Sequence, residues 1–386
     1  MLDPNTRRYD LDWLRIIAFG LLIFYHVGMF YVTWGWHVKS VYASPAVEPL
    51  MRIVNPWRLA LLFFISGVAI RFATDKANSL GRFAWSRVKR IGVPLLFGIY
   101  VWVMPQAYYE FLQSGEWSGS VIAFYPGYVS TEQAFSTITP TWNHLWYLAY
   151  VLVYILLAMA LLPWLRRFAE SGIWRYLTAR PLAVVFLFVV PFVIVETWLT
   201  PIYPTTHNLV QDWANHAHRF LAFLLGFFAA KDVRFWQSID KVWKFMPLLA
   251  VSAWLMLQDG RDISAWAREF LSDWQLRLLF SYIAVIYAWS CILLLLGFGQ
   301  RFLNRESPLL RYLTGAIFCY YVLHQTITVV AGYYLTEYRL GAVIESFLVT
   351  AITVAGCVIG YELIRRLPYV GILFGVHKVS GYRPSR

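Results

Sequence analysis

The sequence predicts an all-α protein that crosses a membrane about ten times, with both termini in the cytoplasm. Of its 386 residues, 59% are hydrophobic and 14% are charged, whereas soluble domains carry about 25% charged residues. Apolar runs near the ~20 residues that a bilayer requires recur along the whole chain. No soluble segment is long enough to fold alone, so we expect one integral-membrane domain over residues 1–386.

The predicted spans are residues 12–34, 56–73, 91–110, 143–164, 181–200, 213–230, 244–258, 275–297, 311–333 and 342–364. When the N-terminus is put inside, most of the 33 Lys and Arg residues fall in inside segments, as the positive-inside rule requires. This bias predicts cytoplasmic termini. It also explains the net charge of +12 without a nucleic-acid partner.

The first span carries Arg15 near its start and His26 deep inside its apolar run. Eleven residues separate them, which puts both on one helical face, about 16 Å apart along the axis. Asp12 lies three residues before Arg15 and is expected to pair with it. His324 lies thirteen residues after Arg311, so we expect it at a depth similar to that of His26. Each histidine is either a proton-transfer group or a core residue hydrogen-bonded across a helix interface.

Arg87, Lys89 and Arg90 precede the third span. Arg87 and Arg90 share a helical face, and guanidinium groups match phosphate oxygens well. The segment is therefore either a clamp for a nucleotide-bearing donor at the cytoplasmic surface or ordinary inside charge.

The second and fourth spans each carry a further candidate segment. Ser66 and Gly67 lie midway along the second span, where small residues favour close helix packing. His144 and Trp146 open the fourth span, where aromatic residues are typical of the membrane interface. These two residues, with Asn143, are also suited to line a cleft of sugar size.

Arg219 lies inside the sixth span and requires a partner, for which Glu196 is one candidate. His216 and His218 are two residues apart on a helix and do not face together, so no metal site is predicted there. Glu362 is expected to pair with a nearby arginine.

Together these motifs resemble the membrane acyltransferase family 3. The family carries Arg-x10-His on its first helix, here Arg15 to His26, and Arg-x-x-Arg before its third, here Arg87 to Arg90. A Phe-x-x-Ser-Gly-type motif corresponds to residues 63–67. The segments RVKRIGVPLL, NHLWYL and YELIRRLP are similar to the osmoregulated periplasmic glucan biosynthesis protein C branch, the glucan succinyltransferases.

The resemblance implies a multi-pass protein of the bacterial inner membrane. Its expected reaction moves a succinyl or acetyl group from cytoplasmic acyl-CoA to a hydroxyl of an extracytoplasmic carbohydrate such as periplasmic glucan. No metal is expected to take part. His26 would be the general base. The expected catalytic residues are His26, Arg15 and Asp12. The residues expected to bind acyl-CoA are Arg87, Lys89, Arg90 and Ser66. The expected substrate-binding residues are Trp36, His37, His144, Trp146, Arg219 and His324.

Two alternatives from other classes stay open at this point. One is a proton-coupled secondary transporter of a small anionic solute that uses Arg15, His26 and Glu196. The other is a non-enzymatic assembly partner for an envelope machine. The sequence does not decide which acyl group is transferred or which acceptor receives it. It also leaves open whether transfer is direct or passes through an acyl-histidine intermediate, and whether the chain forms a homo-oligomer.

Overall fold

The fold is given by a computed structural model, which describes residues 7–376 apart from residues 131 and 133 and the side chain of residue 261. The chain is 78% helical, and the described residues contain no strand. The predicted all-α membrane class is therefore confirmed. The termini lie outside the described residues, so their cytoplasmic location stays a prediction.

The α-helices of the described residues are α1 (Tyr9–Tyr31), α2 (Glu48–Asp75), α3 (Leu80–Phe97), α4 (Met104–Ser114), α5 (Val121–Val129), α6 (Trp146–Ala160), α7 (Leu162–Ala169), α8 (Gly172–Thr178), α9 (Pro181–Phe186), α10 (Val190–Ile194), α11 (Trp213–Ala229), α12 (Val233–Val242), α13 (Met246–Gln258), α14 (Gly260–Ala267), α15 (Asp273–Phe298), α16 (Pro308–Glu337), α17 (Ala342–Ile364) and α18 (Pro368–Leu373). Three π-helical segments, Gly98–Trp102, Val195–Leu199 and Gly299–Leu303, continue α3, α10 and α15.

Eight helical segments of the described chain are long and apolar enough to cross a membrane. They coincide with eight of the ten predicted spans. The other two predicted spans correspond to α11, with 17 residues, and α13, with 13 residues. The total of ten crossings stays a prediction.

One segment differs from expectation. The third helix begins at Leu80, well before the predicted residue 91, because its first turns are polar and carry no hydropathy signal. The region 111–142, which connects the third and fourth predicted spans, contains α5, whose N-cap Ser120 accepts a hydrogen bond from the backbone of Ala123. Phe124 and Tyr128 of α5 are buried against Phe111 of α4.

The chain divides into two compact units. The first contains the residues up to Ala18, Val54–Ala84 and Val153–Ser307. Its α2 and α11 cross at Gly67 and Gly226, where a Cβ on either glycine would overlap the backbone of the opposite helix. This close crossing is the packing role that small residues have in membrane helices.

The second unit contains Phe19–Ile53, Trp85–Leu152 and the chain from Pro308 onward. The central helix of this unit is α16, which packs against α17 and α4. The last part of α1 packs on α16 through Phe30, whose ring contacts Gly332. Helix α17 exposes large apolar side chains such as Val343 and Phe347, as expected for a surface that faces lipid.

Candidate active site

His26 and His324 form a hydrogen-bonded pair in the second unit. His26 Nδ1 lies 2.8 Å from His324 Nε2, and the two ring planes are nearly parallel, at 5°. The expectation that the two histidines lie at the same depth is confirmed. His324 is 1% exposed, whereas His26 is only half-buried.

Hydrogen bonds within α16 determine the tautomers of this pair. His324 Nδ1 lies 2.7 Å from the carbonyl oxygen of Tyr321 and 3.2 Å from that of Tyr320. Carbonyls only accept, so His324 Nδ1 carries the proton and His324 Nε2 is the acceptor in the neutral ring. His26 Nδ1–H therefore donates to His324, and the basic lone pair of His26 is on Nε2. One imidazole fixes the tautomer of the next, as the orienting residue does in a hydrolase triad.

His144 is the third histidine of this cluster. Its ring centroid lies 5.1 Å from that of His324 and 6.4 Å from that of His26. His144 Nε2 donates to the carbonyl of Val322, 3.2 Å away. Its Nδ1 accepts from Gln106 at 3.4 Å. Both ring nitrogens of His144 therefore form hydrogen bonds within the protein, so His144 lines the site and does not present a basic nitrogen to a substrate.

Gln106, in α4, connects His144 to α16 through hydrogen bonds. This residue was not identified from the sequence. Its side chain is fully buried. The amide nitrogen donates to Thr326 Oγ1 at 2.7 Å, and the amide oxygen accepts from Gln325 and Asn143, each at 2.9 Å. With His144, all four hydrogen-bonding positions of the amide are filled, so the network fixes α4 against α16.

Trp36, His37 and Glu110 form a polar and aromatic surface beside His26. The Trp36 ring lies 6.4 Å from the His26 ring, and both Trp36 and His37 are half-buried. His37 Nδ1 is 2.5 Å from Glu110 Oε2. A half-buried aromatic ring near a carboxylate suits the ring faces and hydroxyls of a sugar. Glu110, in α4, was missed because nothing in the sequence links it to residue 37.

Lys39 holds this segment on the end of α1. Its Nζ donates to the carbonyl oxygens of Met29 and Val32, each at 2.7 Å. These carbonyls lack helical partners at a C-terminus, where a cation is also favoured. Burial lowers the pKa of Lys39 to about 8, and the Glu48 carboxylate partly opposes this shift.

Arg87, Lys89 and Arg90 all lie on α3, in the second unit. Arg87 is half-buried and Arg90 is exposed. The ammonium of Lys89 lies 5.3 Å from the centroid of the Trp85 ring. The helix continues through these residues, so the expected shared face of Arg87 and Arg90 is present.

The remaining candidates of the first helices lie in the first unit, because the division between the units falls within α1 after residue 18. Arg15 Nη2 contacts Asp12 Oδ1 at 3.3 Å, which is the expected pair, and Arg7 also contacts Asp12, at 3.0 Å. Ser66 is half-buried at the crossing of α2 and α11, where Gly67 meets the carbonyl of Phe223.

The candidate pair of Arg219 and Glu196 is not the hydrogen-bonded one. Glu196 Oε2 accepts from His218 Nε2 at 3.0 Å, and Arg219 Nε donates to Asn215 Oδ1, also at 3.0 Å. His218 and Glu196 face each other from α11 and the π-helical segment after α10. The local sequence around Arg219 contains its partner, four residues earlier on the same helix.

Two other expectations can be compared with the structure. Glu362 pairs with Arg365 at 2.6 Å, which confirms an arginine partner. Trp146 is buried, with 8% exposure, which argues against a lipid-facing belt position for this side chain. Trp146 instead packs on Tyr150, with ring centroids 5.0 Å apart. No group of His, Cys, Asp or Glu in the described part of the chain has the geometry to hold a metal ion.

Comparison with known proteins identifies the class of chemistry. The family model Acyl_transf_3, described as an acyltransferase domain, matches residues 8–362. "Glucans biosynthesis protein C" of Salmonella heidelberg (strain SL476) is 24% identical over 384 residues, which cover 96% of this chain and 95% of the relative. The protein of that name from Escherichia coli O1:K1 / APEC is 25% identical over 386 residues, with the same coverage. No solved structure matches significantly.

A multi-pass helical protein with this match over nearly its whole length is a membrane acyltransferase. This membership favours the enzyme over the transporter and the assembly partner. The chain belongs to the acyltransferase family 3.

Proposed function

We propose that this protein transfers an acyl group, succinyl or acetyl, from acyl-CoA on the cytoplasmic side of the bacterial inner membrane to a hydroxyl of an extracytoplasmic carbohydrate such as a periplasmic glucan. The observation that carries the proposal is the His26–His324 pair, which leaves the basic nitrogen of His26 on Nε2. The relatives named for glucan biosynthesis support the choice of acceptor.

In the proposed reaction, His26 Nε2 removes the proton of the acceptor hydroxyl as its oxygen attacks the thioester carbonyl. The bond between carbonyl carbon and sulfur then breaks. The thiolate of coenzyme A leaves with the proton returned by His26, so the products are the carbohydrate ester and free coenzyme A. Throughout, His26 Nδ1–H stays bonded to His324, which orients the ring and stabilises its charged form.

Binding of the two substrates is assigned to different residues. Arg87 and Arg90, with Lys89, provide cations for the phosphates of coenzyme A. Trp36 and the His37–Glu110 pair provide the aromatic and polar surface for the sugar. His144 and Gln106 act as positioning residues, because both ring nitrogens of His144 are already bonded within the protein. Arg15, paired with Asp12 at 3.3 Å, is a proposed catalytic cation on α1, and Asp12 orients it. Ser66 stays a candidate for acyl-CoA binding, and Trp146 and Arg219 stay candidates for substrate binding.

The test is transfer of label from acyl-CoA in inside-out membrane vesicles with periplasmic glucan enclosed. Labelled succinyl-CoA and acetyl-CoA are supplied outside in separate reactions. We expect label in the enclosed carbohydrate from one donor, and a decrease of about 10²- to 10⁴-fold in His26→Ala, the usual contribution of a general base.

His218→Ala is the matched control, because this half-buried histidine binds Glu196 in the first unit. It should retain transfer. Transfer by His26→Ala at the wild-type rate would refute the general-base role. Absence of transfer from both donors by the wild type would refute the choice of donor or acceptor.

A further inference from the structure

The first unit contains a cavity of about 380 Å³. This volume is within the range of small-molecule sites, about 300–1,000 Å³. Most of its wall is apolar, including Phe64 of α2 and Ile292 of α15. Small residues such as Ala60, Ala284 and Ala288 line it, and their short side chains leave the space open.

The polar residues of the wall come from one part of the chain, on either side of the segment between α10 and α11. They include Asn215, His218 and Arg219 of α11 and Glu196 and Thr200 opposite. Glu196 Oε2 is bonded to His218 at 3.0 Å and to Thr200 at 3.1 Å. The carboxylate of the cavity is therefore already engaged by protein groups.

Arg219 is the charged group whose bonding is incomplete. Its Nε donates to Asn215, but the described residues provide no hydrogen bond to its two terminal nitrogens. A guanidinium has five donors. The nearby carboxylates of Asp212 and Glu196 oppose the charge of Arg219. Arg219 lines the cavity, and a carboxylate or phosphate inside it would match the guanidinium with two acceptor oxygens.

We propose that this cavity binds an amphiphile with an anionic head, held by Arg219, and an apolar body packed along α2 and α15. A fully polar anion would leave the apolar wall unfilled, and a hydroxyl head would offer the guanidinium one acceptor oxygen where a carboxylate or phosphate offers two. The head is a carboxylate or a phosphate. Its source is either a lipid of the bilayer or a soluble amphiphile. The binding test of the cavity does not depend on the transfer reaction.

The experiment measures binding of labelled decanoate to the full-length protein in phosphatidylcholine nanodiscs, with empty nanodiscs as the blank. Decanol and decyltrimethylammonium are the neutral and cationic competitors. Arg219→Gln removes the charge, and Ala288→Leu fills the apolar end without changing the charge. Arg175→Gln, an exposed arginine of α8 in the same unit, is the matched control.

We expect one saturable decanoate site per chain, at least about tenfold weaker in Arg219→Gln and in Ala288→Leu and unchanged in Arg175→Gln. Arg219→Lys should restore part of the affinity. Decanoate binding that is absent, equal in Arg219→Gln, or displaced equally well by decanol would overturn the proposal. In a second arm, phosphatidylglycerol replaces phosphatidylcholine. Competition with decanoate identifies a lipid occupant, and continued decanoate binding identifies a soluble one.

Discussion

Replacing His324 with leucine removes the acceptor for His26 Nδ1–H while it preserves a buried side chain of similar size. In the transition state His26 is charged, so the hydrogen bond at 2.8 Å joins a cation to a neutral acceptor. Hydrogen bonds to charged groups contribute about 1.5–3 kcal/mol. Since about 1.4 kcal/mol changes a rate tenfold, His324→Leu should decrease kcat by about 10- to 150-fold.

The assay is the vesicle transfer reaction with acyl-CoA varied at saturating acceptor. His324 does not contact the donor in the proposed mechanism, so KM for acyl-CoA should stay within about twofold while kcat falls, the pattern of an interaction made only in the transition state. His324→Gln is the matched variant, because its amide oxygen can accept where Nε2 did. It should retain more activity than His324→Leu.

Thermal unfolding of both variants in detergent separates chemistry from folding. The reasoning would be refuted if His324→Leu, folded as well as the glutamine variant, transferred at the wild-type rate. It would also be refuted if both variants lost activity equally with a large increase in KM. The first result would make His324 a packing residue, and the second would make it part of the donor site.

Three more outcomes are expected. Gly67→Ala should lower the free energy of unfolding by about 1–3 kcal/mol through overpacking. Gly20→Ala is the control and should not, because a Cβ at residue 20 meets nothing within 4 Å. Equal melting temperatures of the two variants would argue against the close crossing of α2 and α11. Arg90→Gln should raise KM for acyl-CoA at least about tenfold with little change in kcat, whereas Arg82→Gln, exposed on the same helix, should leave both unchanged. The pKa of Lys39 falls to about 8 on folding, from 10.5 in the unfolded chain. Between pH 8 and pH 10.5 the unfolded state therefore binds more protons, so the free energy of unfolding should rise with pH in this range. Lys39→Met should remove this rise when unfolding is measured as a function of pH.

Much of the helical layout follows from sequence, because a bilayer fixes the length and hydropathy of a crossing helix. The equal depth of His26 and His324 followed from counting residues along two helices of known direction. The start of α3 did not follow, since its polar first turns resemble a loop.

The hydrogen-bond partners of the site were harder to predict. Gln106 bonds to Gln325, 219 residues away, and His37 to Glu110, 73 residues away. Such pairs depend on which faces of distant helices meet, and no local pattern records this. Arg219 has partners of both kinds: Glu196 acts on it electrostatically, as the sequence suggested, whereas its hydrogen-bond acceptor Asn215 lies one turn earlier on the same helix.

The separation of His26 and His324 by 298 residues has a consequence for biosynthesis. A ribosome adds about 5–20 residues per second, so His26 leaves the ribosome roughly 15–60 s before the residue that fixes its tautomer. A nascent or truncated chain that ends before α16 carries the base without its orienting partner. Because His324 contributes about 10- to 150-fold to kcat, such fragments should transfer acyl groups at least that much more slowly than the full-length enzyme.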